Sequence, residues 1–99
     1  ALRADLIEDL DRAIGEARAS TPAACRVVAV GQKACGGPWG YRVYSASTAD
    51  ETAITSRADA VTRLDADANT RLGLASDCSI AARPIPVLTG GRCRAAERP

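Results

Sequence analysis

The 99-residue sequence predicts an α+β fold in the order α-β-β-α-β: one three-stranded, mostly antiparallel sheet, strand order 2-1-3, with two helices packed on one face. Three observations lead there. Two stretches repeat apolar residues at helical period, three short runs have strand character, and four cysteines stand in a chain with little apolar bulk to bury. Of the apolar residues 21 are alanine, Ile, Leu and Val together number 18, and Phe is absent. A core that thin in a small domain calls for reinforcement, and disulfides are the usual one. The length allows a single domain over residues 1–99.

The first helix follows from Leu2, Leu6, Leu10, Ile14 and Ala17, three or four residues apart with charged residues or alanine between them. It is expected within residues 1–22, because Pro22 has no amide to donate and disfavours helical geometry in the residue ahead of it. Arg26 to Val30, closed by Gly31, and Tyr41 to Ser45 are strands of high β propensity. Thr48-Ala49-Asp50-Glu51 reads as a capping box, opening a second helix with Ile54, Ala58, Val61, Leu64, Ala68 and Leu72 on one stripe. Asn69 and Thr70 predict fraying of its last turns, and Gly73 a left-handed stop. Ile85 to Leu88 is an edge strand: Pro84 and Pro86 lack amides on the same side, leaving Ile85 and Val87 to pair on the other. Residues 94–99 are expected to be a flexible tail.

With the third strand on the free edge of the first, strands two and three become parallel and the long helix is their crossover. Four cysteines allow three connectivities. This strand order favours the nested one, Cys25 with Cys93 and Cys35 with Cys78, since Cys25 begins the first strand and Cys93 follows the third. By chain-entropy arithmetic each closure is worth about 4 kcal/mol. There is no C-x-x-C pair, which argues against a zinc ribbon or a thioredoxin-type motif.

Net charge is +1, yet it is segregated: residues 25–47 and 78–99 each carry +3, residues 1–24 carry −2 and residues 48–77 carry −3. A single lysine and no run of adjacent basic residues argue against nucleic acid. The absence of His removes histidine catalysis and zinc-histidine sites, and no apolar run approaches a membrane span. The acids Asp5, Glu8, Asp9, Asp65 and Asp67 are expected on solvated helix faces. Disulfide-bound cysteine is no nucleophile and no phosphate-cradling glycine pattern occurs. The expectation is a protein that is not an enzyme and carries no cofactor or metal.

Residues 31–41, Gly-Gln-Lys-Ala-Cys-Gly-Gly-Pro-Trp-Gly-Tyr, form the candidate contact loop. A loop tied by Cys35 and turned by Pro38 can be stiff despite its glycines, and stiff loops lose less entropy on binding. The partner-binding candidates are Lys33, Gly36, Gly37, Pro38, Trp39, Tyr41, Arg42 and Tyr44, which include all the aromatic residues of the chain. Buried, those aromatics supply core; exposed, they form a hot spot. Strand alternation puts one tyrosine in the core and leaves the other accessible. Lys33-Ala34 beside a cysteine is similar to the exposed basic bond of disulfide-anchored inhibitors of trypsin-like proteases, although a lysine beside a structural disulfide needs no function.

The segments Cys35-Gly36-Gly37-Pro38-Trp39, Tyr41-x-x-Tyr44-Ser45 and Ser76-Asp77-Cys78, with Gly91-Arg92-Cys93, resemble a group of small exported bacterial proteins, often lipoprotein-like. The likeness spans residues 25 to 93. It implies export and supports disulfides, and it brings no activity or catalytic residue to carry over. The chain opens Ala1-Leu2-Arg3-Ala4-Asp5 without a charged-then-apolar leader, so an exported precursor is expected to have lost its signal peptide. The expected function is a secreted or periplasmic binding protein, in its most concrete form an inhibitor of an extracellular hydrolase of protease or lysozyme type. A small-ligand carrier, or an envelope-associated structural protein, is the alternative.

Overall fold

The computed structural model describes residues 2–96. Helix α1 runs Leu2–Ile14, and helix α2 runs Glu51–Leu72. Strands β1, Cys25–Val30, and β2, Gly40–Ser45, pair antiparallel from Cys25 opposite Ser45 to Val30 opposite Gly40. A single 3-10 turn, Pro22–Ala24, leads into β1. Strands β3, Pro86–Thr89, and β4, Arg92–Ala95, form a second antiparallel pair.

The helices, the first hairpin and the α+β class match the sequence reading. The three-stranded 2-1-3 sheet does not form: there are two separate two-stranded sheets. The third predicted strand pairs locally with β4, which the sequence reading lacked, instead of crossing to β1. The reason is the Gly90-Gly91 turn, whose φ values of 61° and 75° are those of a tight two-residue hairpin. Closing so short a loop loses much less entropy than docking β3 through a crossover of the whole second helix. Ile85 O accepts from Ala96 N–H at 2.9 Å, so the proline-free side of the strand does face its partner. Arg94 and Ala95, assigned to a flexible tail, are paired with Val87 and Pro86, and residues 97–99 lie outside the described residues.

Helix α1 stops eight residues before Pro22. Gly15 turns left-handed at φ 58° and Ala17 follows at φ 54°, a region an L side chain enters only at a steric penalty. That turn lets the next residues run along β4: Cys93 N–H donates to Ala17 O at 2.8 Å and Ala19 N–H to Gly91 O at 3.0 Å. Ala17 is therefore buried against Cys25 and Cys93 and takes no place in a helical stripe. Helix α2 is capped by Asp50, whose carboxylate accepts from Thr52 N–H at 3.0 Å, and not by the expected Thr48–Glu51 box. Glu51 is instead engaged by the Tyr44 hydroxyl, which donates to it at 2.8 Å. Gly73 ends α2 in the left-handed conformation, as expected. The helix is unbroken through Asn69, whose amide donates to Gln32 O at 3.0 Å and holds the turns predicted to fray.

Alternation along the first hairpin sorts its side chains. Val28, Val30 and Tyr44 face the helices and pack with Leu10, Ile54, Ala58 and Val61. Cys25 and Val43 face the other way, with Ala17, Leu88 and Cys93. The helices thus cover one face of β1–β2 and the β3–β4 hairpin lies on the other. Disulfides join Cys25 to Cys93 and Cys35 to Cys78. The first links the two hairpins across this second cluster, a different route from the edge-strand neighbourhood that suggested the pairing.

Leu10 is fully enclosed between the helices and β1–β2. Leu10→Ala is expected to lower the free energy of unfolding by about 3 kcal/mol, read as a shift of the urea midpoint at unchanged m-value. A midpoint equal to wild type would mean that this cluster is not the main core.

Candidate functional site

Helix α2 grips the start of the contact loop with a polar stripe. Gly31 N–H donates to Thr62 Oγ1 at 3.1 Å, Gln32 N–H to Asp65 Oδ2 at 3.0 Å, and the Asn69 amide to Gln32 O. Arg3 of α1 completes the node, its Nε donating to Asp65 Oδ1 at 2.8 Å and its Nη2 to Oδ2 at 3.2 Å. Asp65 is only 8% exposed, which corrects its expected place on a solvated face: a carboxylate can be buried when a bidentate guanidinium and a backbone amide satisfy it. The same contact holds the Arg3 guanidinium above its ordinary basicity. Gly31 has φ 81°, and a Cβ there would lie 2.7 Å from Asp65 Oδ2, so only glycine fits.

Beyond the node the loop closes on itself. Gly36 N–H donates to Lys33 O at 3.0 Å, Lys33 N–H to Gly37 O at 2.9 Å and Trp39 N–H to Val30 O at 3.1 Å. The Cys35–Cys78 disulfide then fastens it to the segment after α2. Lys33 points into this junction. It is 5% exposed, and its ammonium donates to Asp77 Oδ1 and Ser79 O, both at 2.9 Å, and to Ser79 Oγ at 3.1 Å. All three of its donors are used, and the charge also lies 5.0 Å from the Trp39 ring centre. The Ser79 hydroxyl donates to Asp77, and this bond, with the Lys33 ammonium and the Ser79 amide, holds the Asp77 carboxyl down at about 2.

The eight predicted contact residues therefore do not share one surface. Gly36, Gly37 and Trp39 are exposed together at one end, with Pro38 half-buried between them. Lys33 lies underneath. Tyr44 is buried in the helix-side core, where burial and its bond to Glu51 push the phenol up. Arg42 faces the same side and donates to Asp11 at 2.8 Å. Tyr41 lies half-buried on the opposite face with the Arg83 guanidinium 5.9 Å from its ring centre. One tyrosine is core and the other accessible, as alternation predicts.

Trp39 is 47% exposed and edges an open groove of about 500 Å³. Its walls are Ala34 and Trp39 from the loop, Asp65, Ala68 and Asn69 from α2, Leu74, Ala75 and Ser76 beyond it, and Arg3. Most of this lining is apolar, with hydrogen-bonding capacity left on Arg3, Asn69 and Ser76. Sequence reasoning missed Arg3, Thr62, Asp65, Asn69, Asp77 and Ser79. A signal existed for Asp65: it falls four residues after Val61 and seven after Ala58, on the buried stripe itself.

The segregated charge is largely matched internally. Besides Lys33–Asp77, strand residues Arg26, Arg42 and Arg92 pair with Glu51, Asp11 and Glu16, all from acidic segments. Among the described residues no cluster of His, Cys, Asp and Glu could hold a metal ion, and no helix is long and apolar enough to cross a membrane. No family model matches the chain, and neither a curated protein nor a solved structure shows significant similarity to it.

The depressed Asp77 carboxyl gives a pH dependence. A folded value of about 2 against about 4 in the unfolded chain means that the stabilisation is complete above pH about 4 and is lost as pH falls through about 2. A carboxyl ¹³C titration is expected to show this midpoint for Asp77, and Ser79→Ala to move it towards the ordinary range. An unshifted midpoint in wild type would mean that Ser79 and Lys33 do not hold the Asp77 carboxylate.

Proposed function

We propose that the protein is an exported, disulfide-stabilised binding protein whose partner is another protein, held at the Trp39 groove. The observation that carries this reading is a tryptophan fixed from beneath by a saturated lysine and still half-exposed at the lip of a mostly apolar groove. Such an anchor is ordered before binding, so its buried area counts towards affinity with little entropy lost. Export is supported by two disulfides, which form and persist in oxidising compartments such as the periplasm or the extracellular space.

Inhibition of an extracellular hydrolase stays the most concrete form of this function, with a changed contact. Lys33 is enclosed and its ammonium fully bonded, so it does not serve as a protruding basic side chain for a trypsin-like pocket. The exposed Gly36-Gly37 tip and Trp39 take that place. The small-ligand carrier is less well supported, because the groove is partly open to solvent and a carrier encloses most of its ligand. The Asp65 carboxylate is occupied by Arg3 and Gln32, which suits a structural role better than acid–base work.

The purified protein is tested for inhibition against a panel of serine proteases and lysozymes, and as bait in the exported fraction. Trp39→Ala is expected to weaken partner retention by about thirtyfold, the loss of a hot-spot side chain worth about 2 kcal/mol. Equal retention by wild type and variant would refute the groove as the contact.

A further inference from the structure

We propose that the Cys35–Cys78 disulfide is a thiol-exchange site, opened by a dithiol in the folded protein while Cys25–Cys93 stays closed, so that the Trp39 groove exists only in the oxidised form. The two disulfides differ in access. Cys25 and Cys93 are each 6% exposed, within a cluster with Ala17, Val43 and Leu88. Cys35 and Cys78 are both exposed. Exchange needs a thiolate to reach a sulfur along the S–S axis, so access ranks the two bonds. Loop entropy does not: the spans of 68 and 43 residues differ too little in their logarithm to separate them.

The neighbourhood of the exposed bond is also built to open locally. Residues 74–85 contain neither helix nor strand, and most are exposed, Cys78 among them. Their ties to the contact loop are concentrated at the disulfide: Lys33 to Asp77 and Ser79, and Cys35 N–H to Ser76 Oγ at 3.2 Å. These polar contacts join the same two short segments that the disulfide holds together. Once the covalent link is cut, they must gather a free segment by themselves, and although Lys33 is enclosed, its partners Asp77 and Ser79 stand on exposed chain that has to be ordered to meet it. The root of the loop is held independently, by Thr62, Asp65 and Asn69 of α2, and the two hairpins by Cys25–Cys93. Opening therefore releases the stretch around Cys78, with the groove wall of Leu74, Ala75 and Ser76, up to Arg83 over Tyr41 and Ile85 on Ala96, and leaves the helices and β1–β2 in place.

The chemistry is two successive displacements. A thiolate of the dithiol attacks one sulfur of the exposed pair; the S–S bond breaks, a mixed disulfide forms, and the other cysteine leaves as a thiolate that takes a proton from water. The second thiol of the reductant then attacks the mixed disulfide and frees the remaining cysteine. Cys35 and Cys78 gain two electrons and two protons, and the dithiol becomes a disulfide.

The test uses the folded protein with graded dithiothreitol, iodoacetamide trapping and peptide mapping. Cys35 and Cys78 are expected to be alkylated together at a dithiothreitol concentration at least about tenfold below that needed for Cys25 and Cys93. Far-UV circular dichroism should be retained while the fluorescence of Trp39, the only tryptophan, shifts. Simultaneous alkylation of all four cysteines, earlier alkylation of Cys25 and Cys93, or no alkylation before the far-UV signal is lost would each overturn the proposal. A Cys35→Ser, Cys78→Ser double variant should keep the far-UV spectrum and show the fluorescence of the reduced form. An unfolded variant, or one with the fluorescence of the oxidised protein, would refute local opening.

Discussion

The Asp65 carboxylate is the point on which the arrangement turns. It stands on the buried side of α2, takes two hydrogen bonds from Arg3 of α1 and a third from the backbone of Gln32, and so joins both helices to the chain leaving β1. A carboxylate in that position is tolerable only while its donors are in place; without them an uncompensated charge would be left among apolar neighbours. The requirement propagates outward. Gly31 must lack a side chain to let the carboxylate in, the backbone must then turn left-handed, and Thr62 and Asn69 must occupy the adjacent turns of α2 to receive it. The contact loop inherits its direction from this node, before its own turn or its disulfide contributes.

A chain without phenylalanine solves the problem of a thin core by dividing it. One cluster, of Leu10, Val30, Tyr44, Ile54, Ala58 and Val61, lies between the helices and the first hairpin. The other, smaller, is built around a disulfide and alanine between the two hairpins. Neither is large. The cysteines and the polar node supply connections that large side chains make elsewhere, and the strand arginines add pairs to Asp11, Glu16 and Glu51 around the edges. The charge segregation along the sequence is thus mostly a record of which segments meet each other, more than of a field presented to a partner.

What the sequence disclosed follows the range of the interaction involved. Both helices, the first hairpin and the Gly73 stop depend on neighbours a few residues away, and they were legible. The Gly90-Gly91 turn is equally local, and it pairs β3 with β4 where the 2-1-3 strand order requires a crossover to β1. Other features were set by distant partners. Helix α1 ends early because residues after Gly15 lie along β4, and Tyr44 competes with the predicted capping box for Glu51. Lys33 has the composition of a surface residue and is enclosed only because Asp77 and Ser79 arrive from the far end of α2. At the contact loop, the sequence located the exposed glycines and Trp39, whereas the residues that hold them were spread over three other elements.

The enclosure of Lys33 has a practical side. It is the only lysine of the chain, so the one side-chain amine is shielded behind the loop it supports. Acylating reagents and amine-reactive supports, which usually decorate a protein at many points, find no ready foothold on the loop. Any acylation that does reach Lys33 is a direct signal that the loop has come away from the segment beyond α2.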